Sequence, residues 1–162
     1  MSAAAVALAI ALVADVEGFC AKPYQCPAKV WTIGFGTTRI DGRPVSAATP
    51  GISRETAHRL LAADMATRIE QVDSMLRVRL NANQKAALYS FAYNVGVTAF
   101  RDSTMLRHIN AGRVELAGAE FSRWVYVSGC RSPGLEARRA AERALFEKPV
   151  DVRQELVYVP PL

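Results

Sequence analysis

A run of apolar residues that ends at a glutamate constrains the fold more than any other part of this sequence. Residues 3–14 are all Ala, Val, Leu or Ile, and Glu17 and Gly18 follow shortly after. A glycine there can end a helix in the left-handed conformation, which would leave the Glu17 carboxyl group at the helix terminus. The run is shorter than the ~20 residues that a membrane-spanning helix needs. We therefore expect a buried first helix with an acid at its end.

The residues that follow predict a small antiparallel sheet. Residues 21–38 are rich in Tyr, Val, Trp, Thr, Ile and Phe and are interrupted by Pro23, Pro27 and Gly34, a pattern typical of short strands. Asp41-Gly42 is then a hairpin turn signal. A carboxylic acid at a helix end, facing such a sheet, is expected to form one wall of a cleft.

The rest of the chain predicts helices, which makes the fold mainly helical α+β. Ser53 is a suitable N-cap, and the apolar residues after it predict one long helix over about 54–79. Asn81, with Gln84 three residues later, resembles a capping box and predicts a second helix. That helix should end at Gly96, and shorter helices are expected over 103–112, 114–124 and 135–146.

The charge and the cysteine count limit the classes of function. A net charge of +5 suits nucleic acid, an anionic membrane or an anionic polymer such as a bacterial cell wall. We expect no nucleic-acid partner, because the sequence has no zinc finger, RNP motif or Lys/Arg-rich block. Three cysteines fit neither a disulfide scaffold nor a metal site, and allow one pair plus one free thiol.

The stretch EGFCAKPYQCPAKVWTIGFG, residues 17–36, resembles the phage-type lysozymes, the muramidases of glycoside hydrolase family 24. Those endolysins carry a Glu, an acidic residue nine positions on and a Thr six further on, followed by Ile-Gly-x-Gly. Here the Glu is Glu17 and the Thr is Thr32, but Cys26 stands where the family has its catalytic Asp. A subset of phage endolysins also has Cys there, within a similar Tyr-x-Cys-Pro-Ala-x-Val-Trp-Thr run.

Later motifs extend the resemblance to most of the chain, and it implies a lysozyme-like fold. ALYSFAYNVG at 87–96 and Gly-Leu-x-x-Arg-Arg-x-x-Glu at 134–142 match family patterns. A single domain, 1–148, is then expected, with a C-terminal tail at 149–162. Its parts would be a small N-terminal sheet lobe at about 18–53, a linking helix at about 54–79, and a helical lobe at about 80–148 that includes the N-terminal helix.

The resemblance also implies the reaction. The family hydrolyses the β-1,4 bond between N-acetylmuramic acid and N-acetylglucosamine in peptidoglycan, for host-cell lysis, and needs no cofactor or metal. Such a cleavage requires a proton donor for the leaving oxygen, and Glu17 is the candidate acid. Burial among apolar neighbours would favour its protonated form. Peptidoglycan is thus the expected partner of a protein that acts as a monomer.

Cys26 occupies the position of the second carboxylate. A thiol needs electropositive help to form a thiolate, which Lys22, Lys29 and Arg39 could supply. The thiolate could activate water, giving inversion, or attack the sugar itself, giving retention. By family analogy Thr32 would hold the attacking water. The resemblance implies three further substrate contacts, at Thr38, Tyr93 and Ser103.

Two other functions stay open. The first is a lytic transglycosylase, in which Glu17 acts alone and the product is an anhydro sugar, since no second carboxylate is present. The second is a non-enzymatic module that binds cell wall or membrane, since the chain is basic and its N-terminus is apolar. The mass of the digestion products distinguishes a transglycosylase from a hydrolase, and a lysis assay distinguishes a binding module from an enzyme.

The N-terminus and the cysteines suggest how such an enzyme could be controlled. Some phage endolysins are made in the host cytoplasm and exported to the periplasm by an Ala-rich signal-arrest-release segment, and residues 3–14 could be the remnant of one, associated with the inner membrane. Cys20 lies six residues before Cys26, a separation that a disulfide across a bend can bridge. Such a bond would consume the catalytic thiol, whereas pairing of Cys20 with Cys130 would free it.

Overall fold

The computed structural model describes residues 2–150, in which helices surround an apolar core and three short hairpins lie at its edges. The helices are α1 Ala3–Glu17, α2 Arg54–Met75, α3 Ala82–Val95, α4 Val97–Arg101, α5 Thr104–Asn110, α6 Val114–Glu120, the 3-10 turn Phe121–Arg123 and α7 Pro133–Glu147. The strands are β1 Cys20–Gln25, β2 Trp31–Gly34, β3 Arg39–Ile40, β4 Arg43–Pro44, β5 Tyr126–Val127 and β6 Cys130–Arg131. The mainly helical α+β prediction is confirmed.

The first helix packs against α3, as its apolar sequence predicts. Ala5, Ala9 and Val13 are fully buried on one face, because residues four apart lie on the same side of a helix. Gly18 ends α1 at φ +71°, which glycine tolerates, but its ψ of 157° is outside the predicted left-handed helical region. Within residues 2–150 no helix combines the length and apolar character needed to cross a membrane.

The central helix α3 is the middle of the core. Its start confirms the predicted capping box, since Asn81 Oδ1 accepts from Gln84 N at 2.8 Å and Gln84 Oε1 accepts from Asn81 N at 3.0 Å. Phe91 is fully buried and meets the rings of Phe121 and Trp124 edge-on, at centroid distances of 5.4 and 5.3 Å. Edge-on aromatic pairs of this kind add to the stability that burial gives.

The long helix is shorter than predicted. It begins at Arg54 but ends at Met75 rather than near 79, because Asn110 of α5 closes it. The Asn110 amide donates to Met75 O at 2.9 Å, and Asn110 Oδ1 accepts from Arg77 N at 2.9 Å. A side chain from another helix therefore satisfies the backbone groups at which α2 stops.

The predicted small N-terminal sheet consists of two separate antiparallel hairpins, and a third hairpin lies elsewhere in the described residues. β1 pairs with β2, and β3 pairs with β4 around the predicted Asp41-Gly42 turn. The β5–β6 hairpin, which lies before α7, was not expected. The predicted domain boundaries stay predictions, and residues 151–162 of the predicted tail lie outside the described residues.

The β1–β2 hairpin is held against α2 by a glycine and an aromatic cluster. A Cβ placed at Gly34 would lie 3.0 Å from the Ala57 Cβ, so only a residue without a side chain allows this approach. Phe35, buried next to it, meets Phe19 at 5.5 Å and His58 at 4.6 Å between ring centroids. These contacts fix the hairpin beside the end of α1.

Candidate active site

The predicted acid lies where α1 ends. Glu17 is its last residue, and its side chain is 31% exposed. Its Oε1 accepts a hydrogen bond from Nη1 of Arg138, a buried residue of α7. The expectation of an acid buried among apolar neighbours is therefore corrected, since Glu17 is partly exposed and a guanidinium group contacts its carboxyl group. Sequence reasoning noted Arg138 only as part of a motif, because the two residues are 121 positions apart.

The other carboxyl oxygen faces the backbone of the β1–β2 lobe. A Cβ placed at Gly36 would lie 3.7 Å from Glu17 Oε2. Gly36 has φ +90°, a conformation that favours glycine. Within residues 2–150 Arg138 binds Oε1, and no hydrogen bond to Oε2 is present. The oxygen beside Gly36 is thus the one left free to carry a proton.

A tight turn brings Cys26 and Thr32 together at the end of the hairpin. Cys26 N donates to Val30 O at 3.0 Å, and Lys29, at φ +60°, donates its N–H to Cys26 O at 2.8 Å. Thr32 lies buried in β2, and its hydroxyl donates to Val30 O at 3.1 Å. The hydroxyl group has one proton, so it can donate either to this carbonyl or to the Cys26 sulfur.

Hydrogen bonding makes Cys26 more acidic than an ordinary thiol. Hydrogen bonding from the Val30 backbone is the main cause that lowers the pKa of Cys26, opposed in part by desolvation, and the Ala28 backbone and the Thr32 hydroxyl lower it further. Donors to a thiolate favour the charged form. Cations were expected to supply this effect, and that expectation is corrected: the donors belong to the turn and to Thr32.

Tyr24 interacts electrostatically with both the predicted acid and the predicted base, and sequence reasoning gave it no role. It is 38% exposed and stands opposite Thr32 in the β1–β2 register. Desolvation raises the pKa of its phenol, and the charges of Cys20, Glu17 and Cys26 act in the same direction. All three groups are therefore close enough to Tyr24 to act on it. The available signal was its position two residues before Cys26, at the end of the strand that leads into the turn.

Tyr93 forms a polar cluster with α2 on the same side of the molecule. Its hydroxyl donates to Asp64 Oδ2 at 2.9 Å, and Arg68 pairs with Asp64 at 2.8 Å while its guanidinium carbon lies 4.8 Å from the Tyr93 ring centroid. Burial and the Asp64 charge raise the pKa of Tyr93, and the Glu17 charge adds to this. Tyr93 is therefore within electrostatic reach of the acid.

The other two predicted substrate contacts differ from each other. Thr38 is exposed directly before β3, and its carbonyl accepts from Val45 N at 2.9 Å. Ser103 is buried at the start of α5, where its hydroxyl donates to Phe100 O at 2.6 Å and accepts from Leu106 N at 3.1 Å. Reaching a sugar would require Ser103 to break these bonds, so the structure supports a capping role for it.

The three cysteines are free thiols in the structure. Cys20 Sγ donates to Lys22 O at 3.2 Å, and Cys130 is exposed in β6. Pairing of Cys20 with Cys26 or with Cys130 stays a prediction. Across residues 2–150 no three His, Cys, Asp or Glu side chains are grouped as a metal ion would need.

Known proteins resemble this chain along most of its length. The Phage lysozyme family model matches residues 14–142. An endolysin of Acyrthosiphon pisum secondary endosymbiont phage 1 is 38% identical over 143 residues, which are 85% of this chain and 94% of that protein. A SAR-endolysin of Bacteriophage PS119 is 35% identical over 149 residues, 88% of this chain and 87% of that one. The solved endolysin from Escherichia coli O157:H7 phage FAHEc1 has a TM-score of 0.83 at 33% identity, and the match covers 88% of this chain and 92% of that chain.

Proposed function

Because the chain belongs to the phage lysozyme family, we propose that it hydrolyses the β-1,4 bond between N-acetylmuramic acid and N-acetylglucosamine in peptidoglycan. The observation that carries this proposal is the position of Glu17, a partly exposed carboxyl group at a helix end, with one oxygen bound by Arg138 and the other facing Gly36. An acid with one anchored and one free oxygen suits the protonation of a leaving group.

In the proposed mechanism Glu17 donates its proton from Oε2 to the glycosidic oxygen. Arg138 fixes the orientation of the carboxyl group through Oε1, so the proton is carried on the side that faces Gly36. The absence of a side chain at Gly36 leaves room there for the sugar. After the bond breaks, Glu17 is a carboxylate and Arg138 neutralises part of its charge.

Cys26 is proposed as the base that removes a proton from the attacking water. The hydrogen bonds that lower its pKa favour the thiolate, which is the help that a neighbouring cation would otherwise have to give. Thr32 would orient the water through its hydroxyl group. Water attack gives inversion at the anomeric carbon, whereas direct attack by the sulfur would give retention. Proton NMR of the first product formed separates the two outcomes.

Three side chains are proposed to contact the sugar around this centre. Tyr24 and Tyr93 present aromatic surface and hydroxyl groups within electrostatic reach of Glu17, and aromatic rings are suited to pack against sugar rings. Thr38 is exposed on the lobe that carries Cys26. Ser103 is not included, because its hydroxyl group is buried and already bonded on both sides.

We propose that the biological role is lysis of a bacterial host from the periplasm, after synthesis in the cytoplasm. A SAR-endolysin is among the relatives, and α1 is apolar from Ala3 to Ala14. Membrane association through this helix would precede the folded state described above, in which Ala5, Ala9 and Val13 are buried against the core. We further propose that the released enzyme acts as a monomer.

The proposed reaction is tested by digestion of purified peptidoglycan. The Glu17→Gln variant keeps the shape but removes the proton donor, so its rate should fall by about 10²–10⁴-fold without a change in circular dichroism. Glu55→Gln, at an exposed site in the first turn of α2, is the control. Mass spectrometry of the products then distinguishes hydrolysis, which adds water, from transglycosylation, which leaves an anhydro sugar. Full activity in Glu17→Gln, or anhydro products from the parent protein, would overturn the proposal.

A further inference from the structure

A buried glutamate lies behind the acid. Glu142 of α7 has no exposed surface, and its Oε1 accepts from Arg138 Nε at 3.2 Å and from Ser90 Oγ at 2.8 Å. Through Nη1, the same Arg138 donates to Glu17. A continuous path of polar groups therefore runs from α3 through α7 to the catalytic end of α1.

Glu142 also forms an ion pair with a second buried cation, Arg139. Arg139 Nε lies 2.9 Å from Glu142 Oε2, and an Arg139 terminal nitrogen donates to Asn94 Oδ1 at 2.6 Å. Burial lowers the pKa of Arg139 to about 10, so the guanidinium group keeps its charge near neutral pH. One buried carboxylate thus faces two buried guanidinium groups, and the remaining positive charge of Arg138 is directed at Glu17.

We propose that Glu142 is a positioning residue for the catalytic acid, which it controls by sharing the Arg138 guanidinium group with Glu17. The inference rests on the proposed function of Glu17. A proton donor must hold its proton until the sugar is bound, and an unshared guanidinium beside it would favour the carboxylate. The negative charge of Glu142 opposes this, while its hydrogen bonds keep Arg138 in place to orient Glu17 Oε1.

In the part of the chain that the structure describes, Glu142 is, apart from Glu17 itself, the carboxyl group that forms an ion pair with Arg138. Besides Arg138, Tyr24 of β1 and Tyr93 of α3 interact electrostatically with Glu17, and Tyr24 also interacts with Cys20 of β1 and with Cys26, which follows β1. Glu142 faces Ser90 of α3 and the two arginines of its own helix. The 3-10 turn and α6, which also pack on α7, carry their own pair, in which Arg123 and Glu120 lie 3.4 Å apart.

The chain provides a matched control on the same helix. Arg143 and Glu147 form a pair with the same i,i+4 spacing, 2.7 Å apart, but their side chains are 45% and 51% exposed. Glu142→Gln and Glu147→Gln therefore remove the same charge from the same kind of pair, inside the protein and at its surface. A surface pair in water contributes little, whereas a buried charge acts on its neighbours with much less screening.

The test compares pH–rate profiles on soluble peptidoglycan fragments. Glu142→Gln is expected to lower kcat about tenfold near neutral pH with KM unchanged, because the alkaline limb of the profile moves about one pH unit towards acid. Glu147→Gln should keep the parent profile. A folded Glu142→Gln variant with the parent's profile would overturn the proposal, as would a loss of kcat that is equal at every pH.

Glu142→Gln breaks a buried ion pair, which is strongly destabilising, so the variant can fail to fold. In that case a second variant, Ser90→Ala, tests the proposal. Burial is the main cause that raises the pKa of Glu142, and the charge of Arg139 and the Ser90 hydrogen bond oppose it by favouring the carboxylate. Ser90→Ala should therefore make Glu142 easier to protonate and move the alkaline limb in the same direction by a smaller amount. An unmoved limb in folded Ser90→Ala would then overturn the proposal. Failure of the proposed function is distinguishable, because it would show as an active Glu17→Gln.

Discussion

Replacing Gly36 with alanine is expected to reduce both stability and activity, whereas replacing Gly42 should reduce stability alone. Both residues have positive φ, +90° and +75°. An alanine held in such a conformation costs about 1–2 kcal/mol, so each variant should lose about that much free energy of unfolding. Gly42 lies in the β3–β4 turn, and a Cβ there would meet no atom within 4 Å.

The activity of the two variants should differ because of what the new methyl group meets. At Gly36 the Cβ would lie 3.7 Å from Glu17 Oε2 and 3.8 Å from its Cδ, which is ordinary contact without a clash. The leaving oxygen must come within about 2.5–3.0 Å of Oε2 to receive the proton, and the methyl group occupies space on that side. A displacement of about 1 Å at the reacting atoms can cost about 10²-fold in rate, and we expect a loss of that order.

The assay pairs urea denaturation, followed by circular dichroism, with initial rates of peptidoglycan digestion. Rates are compared where both variants are more than nine-tenths folded by the denaturation curve, so that stability does not contribute. The expected result is a similar loss of stability in both variants, with the loss of kcat/KM confined to Gly36→Ala. If the two variants digest peptidoglycan at equal rates, the oxygen that faces Gly36 is not the proton donor.

Further predictions concern the base, the thiols, a helix cap and the surface charge. Cys26→Ala should lose most of the lytic rate, and equal rates for this variant and the parent would exclude a base role. Cys26→Asp should keep much of the rate and move the acid limb of the pH–rate profile to lower pH. Hydrogen bonding lowers the pKa of Cys26, but a carboxyl group is more acidic still. Mild reductant should activate air-oxidised parent protein but not Cys20→Ser. Equal lytic rates of the parent and Cys20→Ser with and without reductant, together with peptide maps that lack a Cys20–Cys26 bond, would contradict this. Asn81→Ala should lower the free energy of unfolding by about 1 kcal/mol, measured in urea, since it removes the bond to Gln84 N; an unchanged value would show that the cap is replaced by water. The lytic rate should fall with added salt, because salt screens the charge of the basic surface beyond a Debye length of ~8 Å. A rate that does not change with salt would show that the net charge of +5 does not contribute to substrate binding.

Local signals in the sequence predicted the elements whose boundaries are local. The Asn81 capping box, the Asp41-Gly42 turn and the end of α3 at Gly96 all depend on residues within a few positions of each other. The end of α2 depends instead on Asn110, 35 residues from the Met75 carbonyl that it binds. The helical spacing of apolar residues carries no information about that contact, and the predicted helix was therefore too long by several residues.

The same distinction applies to the site. The spacing of Glu17, Cys26 and Thr32 could be read within one stretch, and the β1–β2 turn explains how the last two meet. Arg138 could not be assigned, because its contact with Glu17 exists only once α7 packs beside α1. The expected apolar surroundings of the acid were inferred from sequence neighbours alone, and the contact that matters comes from a distant helix.

The hairpin also gives a physical reason why a cysteine can stand where the resemblance to the phage-type lysozymes implies an aspartate. The groups that favour an anion at this position are the Val30 and Ala28 backbone and the Thr32 hydroxyl, and hydrogen-bond donors of this kind serve a carboxylate as well as a thiolate. If cations at a fixed distance stabilised the anion instead, the stabilisation would depend more on the size of the anionic side chain. The turn is therefore compatible with the proposed water-activating role for either side chain, while only a thiol can be inactivated by oxidation. Exchange between the two residues would change the regulation of the enzyme more than its chemistry.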